Sequence, residues 1–387
     1  MELVISTEKH PIKLWLKEID EEALEQARHL ANLDFAFRHV ALMPDAHTGF
    51  GMPIGGVLAT KNHVIPNAVG VDIGCGMCAV PSGLREVSPP QLKEIMSGIR
   101  KQIPVGMRSH KKMQDMHHMP KWNNLPKIVE QEFDKARTQV GTLGGGNHFI
   151  EIQKGSDGFV WIMIHSGSRN LGKTVADFYN KSAKKLNEKW RSPVPKQWDL
   201  AFLPLDCEEA KEYIAEMNYC IDFALANRKL MMHFVQDAIN EAIGKEVSYG
   251  NIINIAHNYA SFETHFGEKV LVHRKGATRA FPGETGIIPG SQGTSSYIVE
   301  GVGNPESFMS CSHGAGRRLG RRQAQRQLDF SAEVQKLNDK GIIHSIRTQR
   351  DLDEAAGAYK DIDEVMMNQS DLVKIKLKLE PLAVVKG

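Results

Sequence analysis

The chain has 387 residues, 41% of them hydrophobic and 24% charged, with a net charge of +2. This is the composition of a folded globular protein, and the near-neutral charge excludes a surface that is basic or acidic throughout, so any polyanion contact must be local. Five cysteines at 75, 78, 207, 220 and 311 do not read as a disulfide framework; with no secretory leader in MELVISTEKHPIKLWL and no uncharged apolar run long enough to span a membrane, the expected setting is the cytoplasm.

Lys17 to Leu33 has helical periodicity with acidic residues early and predicts a helix. Residues 35–85 alternate aliphatic stretches with Gly, Pro and Asn, as in FRHVALMPDAHTGFGMPIGGVLAT, which predicts short strands joined by irregular loops. Residues 88–136 read as mostly polar and helical, with a surface loop at KKMQDMHHM. Gly-rich turns around apolar runs return over 141–173. The longest helical region follows, with Asp206 as expected N-cap and Glu209 closing a capping box. Apolar residues then recur at Ala210, Tyr213, Ile214, Met217, Ile221, Ala224 and Leu225. Residues 251–312 are strand and turn again, and 314–340 read as a basic helix. Strands and helices come in blocks rather than in strict βαβ alternation, with no repeat and no linker. The expected fold is α+β, a single domain over residues 1–387 with mixed sheets and peripheral helices.

Four of the sixteen histidines share one local pattern. His148 follows GGGN, His165 ends WIMI, His257 ends IINIA, and His313 sits in SCSHGAGRR. Each lies where an apolar run meets small residues, which projects an imidazole into open space. The segment VGVDIGCGM adds Asp72 and Cys75. Three apart on a strand, they would point to opposite faces; a curled, glycine-permitted loop aims them at one point. A carboxylate, a thiol and neutral imidazoles together make a transition-metal site. Ligand softness alone favours zinc over manganese. Cys75 and Cys78 form a C-x-x-C pair without a second one, so a zinc knuckle is disfavoured and a buried Cys78 thiol is the plain alternative.

GSRNLGKT, Gly167 to Thr174, matches the phosphate-cradling G-x-x-x-x-G-K-[ST] pattern after an apparent strand. No downstream aliphatic strand ending in Asp accompanies it. The looser expectation is that this Gly-rich backbone and Arg169 contact phosphate.

Taken together, these segments resemble the RtcB family of RNA ligases. The resemblance runs in order through DAHTGFGMPIGG, GVDIGCG, GTLGGGNHFIEI, HSGSRNLG, HNY, HRKGATRA, GIIPGSQGTSSYIVEG, SHGAGR, AYKDIDEVM and the final VKG, and covers nearly the whole chain. It implies a single large RtcB-like domain that joins an RNA 3′-phosphate or 2′,3′-cyclic phosphate end to a 5′-hydroxyl end, using GTP and two manganese ions. It further implies that His313 is guanylylated, that the GMP passes to the RNA 3′-phosphate, and that attack by the 5′-hydroxyl releases it. Asp72, Cys75, His148, His165 and His257 match the family's metal ligands, with Cys75 bridging. Asn147, His148, Phe149, Ile150, Glu151, His257, Asn258, Pro289, Gly290, Ser291, Gln292, Ser296, His313, Gly314, Ala315, Gly316 and Lys386 match positions that contact GTP. Manganese enters from the resemblance, against the softness argument. Ala46, Thr48 and Gln292 depart from the family's commoner residues, and surface insertions are missing.

RNA contact is expected from Arg317, Arg318, Arg321, Arg322 and Arg326, and from Arg274 and Lys275. tRNA splicing and RNA repair would use the same site, with or without an archease-like activator. The competing readings are a metal-dependent phosphodiesterase acting on RNA cyclic phosphate ends, a P-loop NTPase and a non-enzymatic RNA-binding module.

Overall fold

The aliphatic stretches of residues 36–60 form one long hairpin rather than several short strands. The computed structural model describes residues 1–387. β1 (Leu3–Ile5) and β2 (Ile12–Leu14) precede α1 (Glu21–Ala31), which starts where the Asp20 carboxylate accepts from the Ala23 amide at 2.8 Å. β3 (Ala36–Phe50) and β4 (Met52–Thr60) follow, and the turn between them is the single residue Gly51, at φ +70°. Next come β5 (His63–Val64), α2 (Pro66–Val69), β6 (Gly76–Pro81), α3 (Pro89–Gln102) and α4 (Lys127–Gln139). β7 (Phe149–Gly155), β8 (Val160–Ser166), α5 (Arg169–Trp190), β9 (Leu203–Pro204) and α6 (Glu208–Ile243) complete the first two thirds. The remainder is mainly strand: β10 (Ile253–Ala256), β11 (Asn258–His265), β12 (Glu268–Lys275), β13 (Ala277–Arg279), β14 (Thr285–Ile288), β15 (Ser296–Gly301) and β16 (Ser310–Ser312). Then come α7 (Arg321–Gln327), α8 (Phe330–Asp339), α9 (Ile362–Met367) and β17 (Val373–Lys386).

Two large sheets organise the chain, the first mixed through the parallel β2–β3 pair and the second, against the expectation of mixed sheets, antiparallel throughout. One runs β1-β2-β3-β4-β12-β11, the other β10-β6-β8-β7-β17-β15-β14. In the second sheet, the consecutive pairs β7–β8 and β14–β15 are joined by β17, and β6 and β10 come from distant parts of the chain, which is the α+β arrangement expected. Its strands carry aliphatic side chains on both faces because both are covered. Ile150, Ile152, Ile162 and Ile164 pack against α3 and α6, while Met77, Met163, Ile298 and Val384 pack against the segment containing α8. No helix is long and apolar enough to cross a membrane.

Two expectations at helix ends are corrected. α6 begins one residue later than read: Cys207 is its N-cap with no side-chain hydrogen bond, so the Asp206–Glu209 capping box does not form. It then runs 36 residues, well past Leu225, to Gly244 at φ +73°. The basic helix expected over 314–340 is two helices. Leu328 is extended, at φ −82° and ψ 139°, which ends the first. Asp329 then caps the second by accepting from the Ala332 amide at 2.7 Å.

Candidate active site

The glycine-bracketed loop between α2 and β6 does curl. The Cys75 amide donates to the Asp72 carbonyl at 3.1 Å, and Gly74 sits at φ +74°. Asp72 and Cys75 thereby face the same histidines. His148 Nε2 lies 3.5 Å from Cys75 Sγ and 3.1 Å from an Asp72 carboxylate oxygen; His165 Nε2 lies 3.3 Å from the same sulfur. The ligand atoms of Cys75, His148 and His165 all fall within 4.8 Å of one another. His148 is placed just before β7 by a turn in which Gly144 and Gly146 adopt φ +95° and +71°. That turn settles how His148 and Glu151 both reach the site, although strand alternation alone would separate them.

The far side of each imidazole is fixed. His148 Nδ1 donates to the Leu143 carbonyl at 3.0 Å, and His165 Nδ1 to the Asn147 carbonyl at 3.2 Å. Both Nε2 atoms therefore present lone pairs to the sulfur and the Asp72 oxygen. Burial holds His165 and His257 well below the usual histidine range, so both are neutral. Burial raises the Cys75 thiol, with Asp72 adding to the rise. Burial opposes ionisation of Asp72, but neighbouring His148, Cys75 and Arg169 together outweigh that and hold the carboxyl below its usual range. Converging acceptors with no donor among them except the thiol are what a divalent cation needs. His257 extends the group: its ring centroid is 5.2 Å from that of His165, and its buried Nδ1 has no hydrogen-bond partner.

His313 belongs to the same site. It follows β16, and its ring centroid lies 4.8 Å from that of His257. Its Nδ1 donates to Asp45 Oδ2 at 2.6 Å, and the same oxygen accepts from the His313 and Gly314 amides at 3.0 and 3.3 Å. Asp45 is fully buried and comes from the middle of β3. Within DAHTGF nothing local marks Asp45 for this role, and its adjacency to His313 required the fold. With Nδ1 so engaged, Nε2 is the free nitrogen of His313.

A cavity of about 770 Å³ opens over His165 and His313. Of the residues matched to GTP contacts, Asn147, Phe149, Glu151, Pro289–Gln292, His313–Gly316 and Lys386 line it. The others sit elsewhere. Ile150 is packed in the core against α3 and α6. Ser296 accepts from the Gly290 amide at 3.1 Å and supports that loop. Asn258 donates to the Asp72 carbonyl at 3.1 Å and accepts from the Gly276 amide at 2.7 Å, which ties the metal-site loop to the loop after β12. Glu151 is buried with only Gln153 as partner, 2.6 Å away, and burial pushes its carboxyl up to about 8. Burial lowers the Lys386 ammonium, against the pull of Glu354 and Glu151.

Several positions escaped the sequence reading because their roles depend on partners far along the chain. Asn227 and Arg228, adjacent on α6, hold the loops of the site. Asn227 accepts from the Gly141 and Thr142 amides at 2.7 and 3.1 Å, and Arg228 donates to the carbonyls of Gly74 and Ser166 at 2.9 and 2.8 Å. Glu354 gathers Arg317 and Arg321, each at 3.1 Å, beside Lys386 on the cavity wall.

The phosphate-loop match is overturned. α5 already begins at Arg169, so Gly172 and Lys173 lie inside a helix, and Lys173 is exposed and paired with Asp177. Arg169 instead donates to the Thr142 hydroxyl at 3.0 Å and the Gly106 carbonyl at 2.8 Å. Cys78 is a buried thiol in β6, pushed up to about 12 by burial. Arg274 and Lys275 are also buried, Arg274 against Glu263 at 2.5 Å, so neither offers a surface charge to RNA. Arg317, Arg318 and Arg321 reach the cavity, whereas Arg322 and Arg326 lie exposed on α7 outside it.

A family model described as tRNA-splicing ligase RtcB matches residues 26–387. The chain belongs to the RtcB family. An RtcB relative from Escherichia coli K12, named RNA-splicing ligase RtcB, is 38% identical across 99% of both chains. Proteins named tRNA-splicing ligase RtcB from Thermococcus kodakarensis and Nanoarchaeum equitans are each 32% identical, covering 95% and 97% of this chain and 91% and 94% of their own. The RtcB match spans the segments that carry the metal-ligand cluster, His313 with Asp45, and Lys386.

Proposed function

We propose that this protein is an RNA ligase that joins a 3′-phosphate or 2′,3′-cyclic phosphate end to a 5′-hydroxyl end at the expense of GTP. The observation that carries the reading is the pairing of His313 with Asp45 beside the Cys75, His148 and His165 cluster, with one cavity opening over His165 and His313. Family membership supports the ligase class, and the chemistry of the donor set supports a metal.

Asp72, Cys75, His148, His165 and His257 would hold two divalent cations, manganese in this reading. Such cations, when bound, neutralise phosphate charge during displacement. The protein's own groups do the rest. Glu151, once ionised, accepts from the guanine edge, which adenine cannot match with its own donor pattern. Lys386 and the 289–292 and 314–316 backbones line the nucleotide's path. Asp45 keeps the proton of His313 on Nδ1, leaving the Nε2 lone pair to attack the α-phosphorus of GTP; a phosphoramidate forms and pyrophosphate leaves. The RNA 3′-phosphate oxygen then takes the GMP, and His313 is restored. The 5′-hydroxyl next attacks the activated phosphate, forming the phosphodiester and releasing GMP. A cyclic phosphate is opened by water beforehand.

The test is incubation with α-labelled GTP and manganese. Label should stay on the protein through denaturation, and His313→Ala should abolish it. A phosphodiesterase would open cyclic ends yet retain no label, and that result would overturn the reading.

A further inference from the structure

Among the exposed large apolar side chains, Phe50 is the one that lines the active-site cavity, and it is 78% exposed. It occupies the tip of the β3–β4 hairpin, five residues along β3 from Asp45. An aromatic ring left in water at the mouth of a polar cavity packs against nothing, so it contributes little to folding.

The backbone beneath that ring is tightly held. Lys275, 7% exposed, donates from Nζ to the Phe50 carbonyl at 2.6 Å and to the Asn67 carbonyl at 3.1 Å. No carboxylate pairs with this ammonium, and burial brings it down to about 7, so its buried contacts are with main-chain carbonyls alone. On the other side, a Cβ at Gly51 would fall 2.6 Å from the Asp199 carbonyl oxygen and 2.7 Å from the Asn67 amide nitrogen. The hairpin tip thus has little room to shift. A buried cation and a close-packed glycine fix the position of a side chain that itself touches solvent.

A flat ring carried on a fixed backbone beside polar groups is a platform for a nucleobase. Asp20, Glu22, His47 and Thr48 line the cavity beside it and provide hydrogen-bonding groups for a base edge or a ribose hydroxyl. The guanine side of the cavity, at Glu151 and Lys386, is built from different elements, β7 and β17. Base pairs in a duplex hide their faces, so the ring can receive only an unstacked base.

We propose that Phe50 stacks on one unpaired base of the RNA next to the joint, and thereby selects single-stranded ends. This rests on the ligase reading for the identity of the substrate. The test uses the full-length protein and fluorescein-labelled single-stranded RNA with a 3′-phosphate or a 5′-hydroxyl end. Affinity is read by anisotropy for wild type, Phe50→Ala and Phe50→Tyr. Phe50→Ala should weaken binding by roughly 5- to 150-fold, the range for loss of one aromatic stacking contact, and Phe50→Tyr should restore it. An abasic nucleotide walked through the terminal positions should cost wild type the same factor at one position, where Phe50→Ala loses nothing further. Equal affinity of Phe50→Ala and wild type would overturn the proposal, as would additive losses at every abasic position. Labelling with GTP in the absence of RNA separates the two readings. A fall in Phe50→Ala labelling would assign the ring to the nucleotide and overturn the proposal. No labelling of wild type would remove the ligase reading, while the binding data would still decide the role of Phe50.

Discussion

Replacing Asp45 with Asn is the sharpest test of how His313 is prepared. In the structure, Oδ2 takes all three contacts, at 2.6, 3.0 and 3.3 Å, while Oδ1 is buried with no partner. Asn can keep its oxygen toward His313 only by placing the NH2 group in the unpartnered Oδ1 position, at about 1–3 kcal/mol for a buried unsatisfied donor. The flipped amide points a donor at Nδ1 and moves the imidazole proton to Nε2, which removes the attacking lone pair. Either way the carboxylate that stabilises an imidazolium is gone, and charge-assisted hydrogen bonds become neutral ones. The guanylylation rate should fall by about 10²- to 10⁴-fold. The assay is the initial rate of label retention from α-labelled GTP, with far-UV dichroism and melting temperature as controls on folding. A folded Asp45→Asn protein that labels at the wild-type rate would refute the argument.

Cys75→Ala should weaken manganese binding by at least roughly 100-fold, since a direct ligand matters more than the outer partners; metal content after dialysis and the manganese-induced rise in melting temperature both read it. GTP affinity should depend on Glu151, whose carboxyl sits at about 8 before guanine arrives. Guanine needs the ionised form, so affinity should fall about tenfold for each pH unit below that value and level off above it; calorimetry across the range checks this, and Glu151→Gln should flatten the profile. Lys173→Ala should leave ligation unchanged, because Lys173 is exposed and paired along one face of α5; a loss of activity there would revive the phosphate-loop reading.

The sequence made the site more legible than the fold. Histidines at strand ends are visible because the transition from aliphatic run to glycine marks both the end of a strand and the room for a ligand, and His148, His165, His257 and His313 all lie at such junctions. The loop holding Asp72 and Cys75 was readable for the same reason. Helix ends were less so, since Asp206 and Cys207 differ in capping only by one residue of phase. Asp45, Arg228 and Glu354 were not legible at all. Each acts on main-chain or side-chain atoms brought from elsewhere in the chain, and no local pattern marks a carboxylate or guanidinium whose partner is supplied by the topology. Arg274 and Lys275 show the converse: two adjacent cations look like surface charge until a strand register buries them.

β17 lies between β7 and β15, pairing Lys386 with Phe149 at one edge and Val373 with Gly301 at the other. It is therefore the strand that joins the β6–β8–β7 block, made early in translation, to β15 and β14, made late. A ribosome must finish residues 373–386 before the wider sheet can zip together, so a nascent chain stalled short of them leaves both flanks with open edges and no Lys386 on the cavity wall. Such long-range closure is slow, and it ties the birth of activity to completion of this one segment.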